Sequence, residues 1–165
     1  MSHAHQDITQ LAENIIDKAR QKTVMIALAE SCTGGMIAAA LTDISGSSAA
    51  LDRGFVTYSN QAKIDILRVS NATLEQYGAV SEQTARAMVD GTLIAAPMAG
   101  LALSVTGIAG PGGGGRDKPV GLVHFACQCR DASQTHAMHI FSGDRHMVRQ
   151  QAVRTALMMI ANALA

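Results

Sequence analysis

Tryptophan is absent from this chain of 165 residues, and two tyrosines and three phenylalanines are its only aromatics. Charge of one sign is not in excess either, with 13 lysines and arginines against 13 aspartates and glutamates. A dedicated nucleic-acid binder needs a basic footprint and usually stacking side chains, so no nucleic-acid partner is expected. No apolar run reaches the ~20 residues that cross a bilayer, and Met1 to Asp7 has no basic start followed by an apolar signal core. The expectation is a cytoplasmic protein with no membrane partner. Cysteine is scarce as well: Cys32, Cys127 and Cys129 are odd in number, which argues against a disulfide framework, and no second cysteine pair or well-spaced histidine pair completes a metal site. His136 and His139, three apart on a predicted strand, point to opposite faces, and His124 has no acidic residue placed by sequence to orient it.

What is present is small and aliphatic. With 48% hydrophobic residues and nine methionines, the chain fills a core without aromatics, which suits helices packed closely on a sheet. Ile8, Leu11, Ala12, Ile15, Ile16 and Ala19 follow helical spacing. Strands are read at 23–28, 54–58, 101–106, 120–129 and 135–141, the last two as a hairpin turning near Asp131. Between them lie helices at 36–41, after Ser59 and Asn60, around Leu74, and after Ser81, the last burying Ala85, Met88, Val89, Thr92 and Leu93. A final helix runs from Asp144 with Val148, Ala152, Ala156, Met159, Ile160 and Ala163 inward. This order predicts an α/β fold, a layered α/β/α sandwich with a mixed sheet, in a single domain over 1–165.

Three loops follow apolar strands, and in such sheets ligands gather outside the carboxyl ends of strands. The first, Glu30-Ser-Cys-Thr-Gly-Gly35, sets Ser31 at a strand-to-helix turn, where free backbone N–H groups of Thr33, Gly34 and Gly35 could hold an oxyanion or a phosphate. Taken alone, the stretch favours the plainer reading, in which Ser31 or Thr33 simply caps the helix. Cys32 is a rival nucleophile, since a helix N-terminus lowers a thiol pKa. The second loop, after Tyr58, brings Lys63 into a helix's first turn, where the dipole disfavours a cation and favours a neutral amine able to act as base. Tyr58 is either a half-buried strand tyrosine or a hydroxyl aimed into the cleft. The third loop begins at Thr106 and Gly107 and contains a GxGxxG spacing from Gly110 to Gly115; a strand rather than a helix follows, so it is no dinucleotide fingerprint. Arg145, Arg149 and Arg154 read as a solvated face, with Arg145 near enough to the helix start to reach a phosphate.

Together, Glu30-Ser-Cys-Thr-Gly-Gly35, Gly54-Phe-Val-Thr-Tyr-Ser-Asn60 with Lys63, Gly78-Ala-Val-Ser81, Thr106-Gly-Ile-Ala-Gly-Pro-Gly112 and Lys118-Pro-Val-Gly121 resemble the CinA C-terminal domain family. The resemblance implies hydrolysis of the carboxamide of nicotinamide mononucleotide to nicotinic acid mononucleotide and ammonia, in pyridine-nucleotide recycling, without metal or other cofactor. It also implies a Ser31 nucleophile, a Lys63 base assisted by Tyr58, a site completed by Thr106, Gly107 and Gly110, and a homodimer. The other function these phosphate-compatible loops allow is a non-catalytic nucleotide-binding module linked to competence or DNA damage.

Overall fold

The structure, a computed structural model, describes residues 3–165, with side chains from Ile8 onward; of Met1 to Asp7, read as lacking a signal core, the first two residues and all the side chains lie outside the described part. The element order is α1 (His3–Lys22), β1 (Met25–Glu30), α2 (Met36–Thr42), a 3-10 turn (Ser47–Ala49), β2 (Leu51–Val56), α3 (Asn60–Leu67), α4 (Asn71–Tyr77), α5 (Glu82–Ala95), β3 (Ala99–Gly107), β4 (Leu122–Cys129), β5 (Thr135–Ile140) and α6 (Arg145–Ala163). The sheet order is β2-β1-β3-β4-β5. β1 lies parallel to β2 and β3, while β3, β4 and β5 run antiparallel, so the sheet is mixed as expected.

Alternation along the central strands sorts the core into two unequal faces. Ile26 and Leu28 of β1, Leu101, Leu103 and Val105 of β3, and Val123, Phe125 and Cys127 of β4 join one cluster with α1, α2 and α6. Ala27 and Ala29, Ala102 and Ser104, and Ala126 point the other way, where small side chains let α5 settle against the sheet. Ser104 then donates its hydroxyl to the Ala85 carbonyl of α5 at 2.6 Å, so the buried polar group is satisfied. Cys127 and Cys129 do share a face.

Four strands begin elsewhere than their apolar runs suggest: β3 starts at Ala99 rather than 101, β4 at Leu122 rather than 120, and β1 and β2 are displaced as well. Thr23 adopts a left-handed conformation and the Val24 N–H bonds back to Ala19, which ends α1 and delays β1 to Met25. β2 starts three residues early, because Leu51 pairs with Ile26, and ends at Val56, leaving Tyr58 beyond the sheet. In α6, Val153 and Leu157 complete the buried face, whereas Ala163 is exposed. Ser59 and Ser81 cap α3 and α5 by accepting the N–H of Ala62 and Thr84.

Candidate active site

β1 and β2 are parallel neighbours, with Glu30 opposite Val56, so the residues just past their ends emerge side by side. Ser31 follows β1 and Lys63 sits in the first turn of the helix after β2. Lys63 is 1% exposed, among the largest fully buried side chains of the described residues. Its Nζ lies 3.0 Å from Ser31 Oγ and donates to the Thr57 carbonyl at 2.8 Å. Burial lowers its pKa from 10.5 to about 8. Loss of water, which penalises the charged form, is the main cause, rather than the position on the helix that the sequence suggested.

Ser31 and Lys63 lie in the lining of a cavity of about 250 Å³, together with Cys32, Tyr58, Ala79, Val80, Thr106 and the third loop from Gly107 to Gly113. Arg145 closes its rim, donating to the Gly110 carbonyl at 2.8 Å and to the Tyr58 hydroxyl at 3.0 Å. Tyr58 is 60% exposed, and its hydroxyl thus meets Arg145 at the mouth. Thr106 is buried and donates to the Ala79 carbonyl at 2.8 Å, tying the third loop to the approach of α5. Gly107 is required by close approach: a Cβ there would stand 2.8 Å from the Leu122 carbonyl oxygen. The peptide N–H groups of Ala109, Gly110, Gly112 and Gly113 meet no acceptor among the described residues, so the cavity wall offers free donors.

Thr33, Gly34 and Gly35 stand outside this lining. The start of α2 is not an open anion site, because the Glu30 carboxylate already fills it. That side chain accepts the Thr33 hydroxyl at 2.6 Å and the N–H groups of Gly35, Ile37 and Ala38 at 3.1, 3.1 and 2.9 Å. Gly34 and Gly35 have φ of +59° and +100°, the left-handed turn that brings the chain back over Glu30. Neither Ser31 nor Thr33 caps the helix; Gly35 occupies that position without a side-chain bond.

Cys32 departs from its expectation. It is 6% exposed, and burial pushes its thiol up to about 11, so at neutral pH it is a protonated, poorly nucleophilic group. Nor is Arg149 part of a solvated face: it reaches across from α6 to donate to the Cys32 carbonyl at 3.1 Å and the Thr33 carbonyl at 3.0 Å. Glu30 had a readable signal, a carboxylate closing an apolar strand before a small-residue turn. Arg149 had none, being 117 positions from its partner.

The CinA C-terminal domain pattern matches residues 8–164. The chain belongs to the CinA C-terminal domain family. Among family relatives, nicotinamide-nucleotide amidohydrolase PncC of Enterobacter agglomerans is 54% identical over 143 residues, covering 87% of each chain. PncC of Escherichia coli K12 is 46% identical over 151 residues, 92% of this chain and 91% of that one. A putative competence-damage inducible protein of Caldicellulosiruptor bescii is 45% identical over 89% of this chain but only 35% of its own length. The crystal structure of the competence/damage inducible protein CihA from Agrobacterium tumefaciens superposes with a TM-score of 0.91 at 51% identity, covering 96% of this chain and 95% of that one. Every strand and helix described above falls inside the family's matched span except the first residues of α1.

Proposed function

We propose that this CinA-family chain hydrolyses the carboxamide of nicotinamide mononucleotide, releasing nicotinic acid mononucleotide and ammonia, and so serves pyridine-nucleotide recycling. The observation that carries the reading is the 3.0 Å approach of a buried, low-pKa lysine to a serine hydroxyl. Relatives that cover nearly the whole chain and are named for this amidohydrolase activity support the choice of substrate.

A serine hydroxyl attacks an amide only when a base removes its proton, and a neutral amine within hydrogen-bond reach is such a base. Neutral Lys63 keeps one N–H on the Thr57 carbonyl and turns its lone pair to Ser31. Ser31 Oγ adds to the carboxamide carbon as its proton passes to Lys63. The third loop lines this cavity and carries N–H groups with no acceptor among the described residues, and these are the donors available to the developing oxyanion. Lys63 then hands that proton to the amide nitrogen, the C–N bond breaks and ammonia leaves. Water adds to the acyl-serine with its proton going to Lys63, the C–Oγ bond breaks, and the proton returns to Ser31. Thr106 and Gly107 shape the wall beside this path, and Tyr58 and Arg145 border its mouth, where an arginine suits the 5′-phosphate.

The test is ammonia release from nicotinamide mononucleotide by the wild type, Ser31→Ala and Cys32→Ala side by side. Ser31→Ala should lose at least ~10³-fold in kcat, while Cys32→Ala should retain most of the activity. A wild type that binds the nucleotide and releases no ammonia would replace the enzyme with a binding module; loss in Cys32→Ala but not Ser31→Ala would reassign the nucleophile.

A further inference from the structure

The turn that presents Ser31 is gripped from two sides by charged groups that stand outside the cavity lining. From within the turn, the Glu30 carboxylate gathers the N–H groups of Gly35, Ile37 and Ala38 and the Thr33 hydroxyl. From α6, the Arg149 guanidinium takes the carbonyls of Cys32 and Thr33 through Nε and Nη2. Carbonyls are thus drawn one way and amides the other across the same few residues. Gly34 lies under the guanidinium, where an added Cβ would be 3.5 Å from Nη2.

Left alone, two adjacent glycines at φ of +59° and +100° would be the loosest joint in the site. Ser31 is fixed on its other side by its N–H to the Val105 carbonyl at 3.1 Å, and the turn closes through Gly34 N–H to the Ser31 carbonyl at 3.0 Å. What remains to hold the chain just past Ser31 is the orientation of the peptides that follow: Arg149 holds those at Cys32 and Thr33 by their carbonyls, and Glu30 anchors the Thr33 hydroxyl and the N–H groups from Gly35 onward. We propose that Arg149 and Glu30 are positioning residues that hold Ser31 within reach of Lys63. The proposal rests on the Ser31–Lys63 reading, though not on the identity of the substrate. A misplacement of about 1 Å in a reacting group costs on the order of 10²-fold in rate, which sets the size of the effect. Arginine suits the task because its fork offers two fixed N–H groups at once, whereas lysine offers a single point charge.

The experiment compares wild type, Arg149→Gln, Arg149→Lys and Glu30→Gln by three readouts: kcat and KM for nicotinamide mononucleotide, the rate at which a small fluorophosphonate labels Ser31, and thermal melting. Arg149 is half-buried on a long helix, and the melting curves identify which variants keep the fold and are therefore compared. Arg149→Gln should lower kcat on the order of 10²-fold, leave KM within about twofold, slow Ser31 labelling by a similar factor, and leave the pH at which the rate levels unchanged. Arg149→Lys should recover only part of the loss. Full recovery in Arg149→Lys, a raised KM with unchanged kcat, or labelling at the wild-type rate would overturn the proposal. Should the wild type not hydrolyse this nucleotide, the substrate reading fails alone: slower labelling in Arg149→Gln still upholds the positioning role, and equal labelling removes it.

Discussion

A lysine shielded from water is costly to keep charged, and Lys63 is 1% exposed with its pKa lowered to about 8. Two consequences follow for pH. In the proposed mechanism the active form is the neutral amine, so kcat/KM should fall tenfold per unit below about 8 and level off above it. A pH–rate profile checks this, and a rate still climbing at the ordinary lysine value of ~10.4 would remove Lys63 as the base. For stability the sign is fixed by linkage: between about 8 and 10.5 the unfolded chain binds the proton that the folded lysine has lost. Folding stability from this group therefore rises with pH across that window and is lowest below about 8. Lys63→Met should flatten that rise in melting curves taken at successive pH values.

At the scale of elements, the helix bearing Lys63 is located by α5. Gly91 lies where α5 crosses the end of α3, and a Cβ there would collide with the Leu67 carbonyl. Gly91→Ala gains helix propensity, yet the overpacking, on the order of 1–3 kcal/mol, outweighs the ~1 kcal/mol that alanine returns. The urea midpoint should drop and kcat should fall with it, since α3 must shift; an unchanged midpoint would mean that the two helices part at no cost. Elements whose signals are local were legible in the sequence: the Ser59 and Ser81 caps, the buried stripe of α5 and the hairpin all stand where periodicity put them. Signals that depend on tertiary register were not. His136 was read against His139, whereas its ring meets His124 across the hairpin, Nε2 to Nδ1 at 3.0 Å, with Glu82 3.7 Å from its other nitrogen. Which residues of two strands become diagonal neighbours depends on a pairing offset that one strand's pattern does not contain.

For the whole molecule, the sheet is protected at its centre and thin at both borders, β2 and β5. β1 and β3 have strands on both flanks and are buried on both faces, while β5 is a border strand with Met138 and Ile140 exposed. Amide hydrogen exchange should accordingly be slowest in β1 and β3 and faster in β5. Equal protection in β5 would point to a covering partner in solution. The candidate site lies at the slow end of this gradient, for Ser31 is joined directly to β1 and hydrogen-bonded to β3.

The spacing of serine and lysine is thus measured by a ladder: Glu30 opposite Val56 fixes where the two strands let go of their chains. The connection through α2 and the 3-10 turn is not the ruler. Insertions near Gly46, past the end of α2, would lengthen the path without moving either end of it, so descendants of this chain are free to vary there while inheriting the same approach of Lys63 to Ser31.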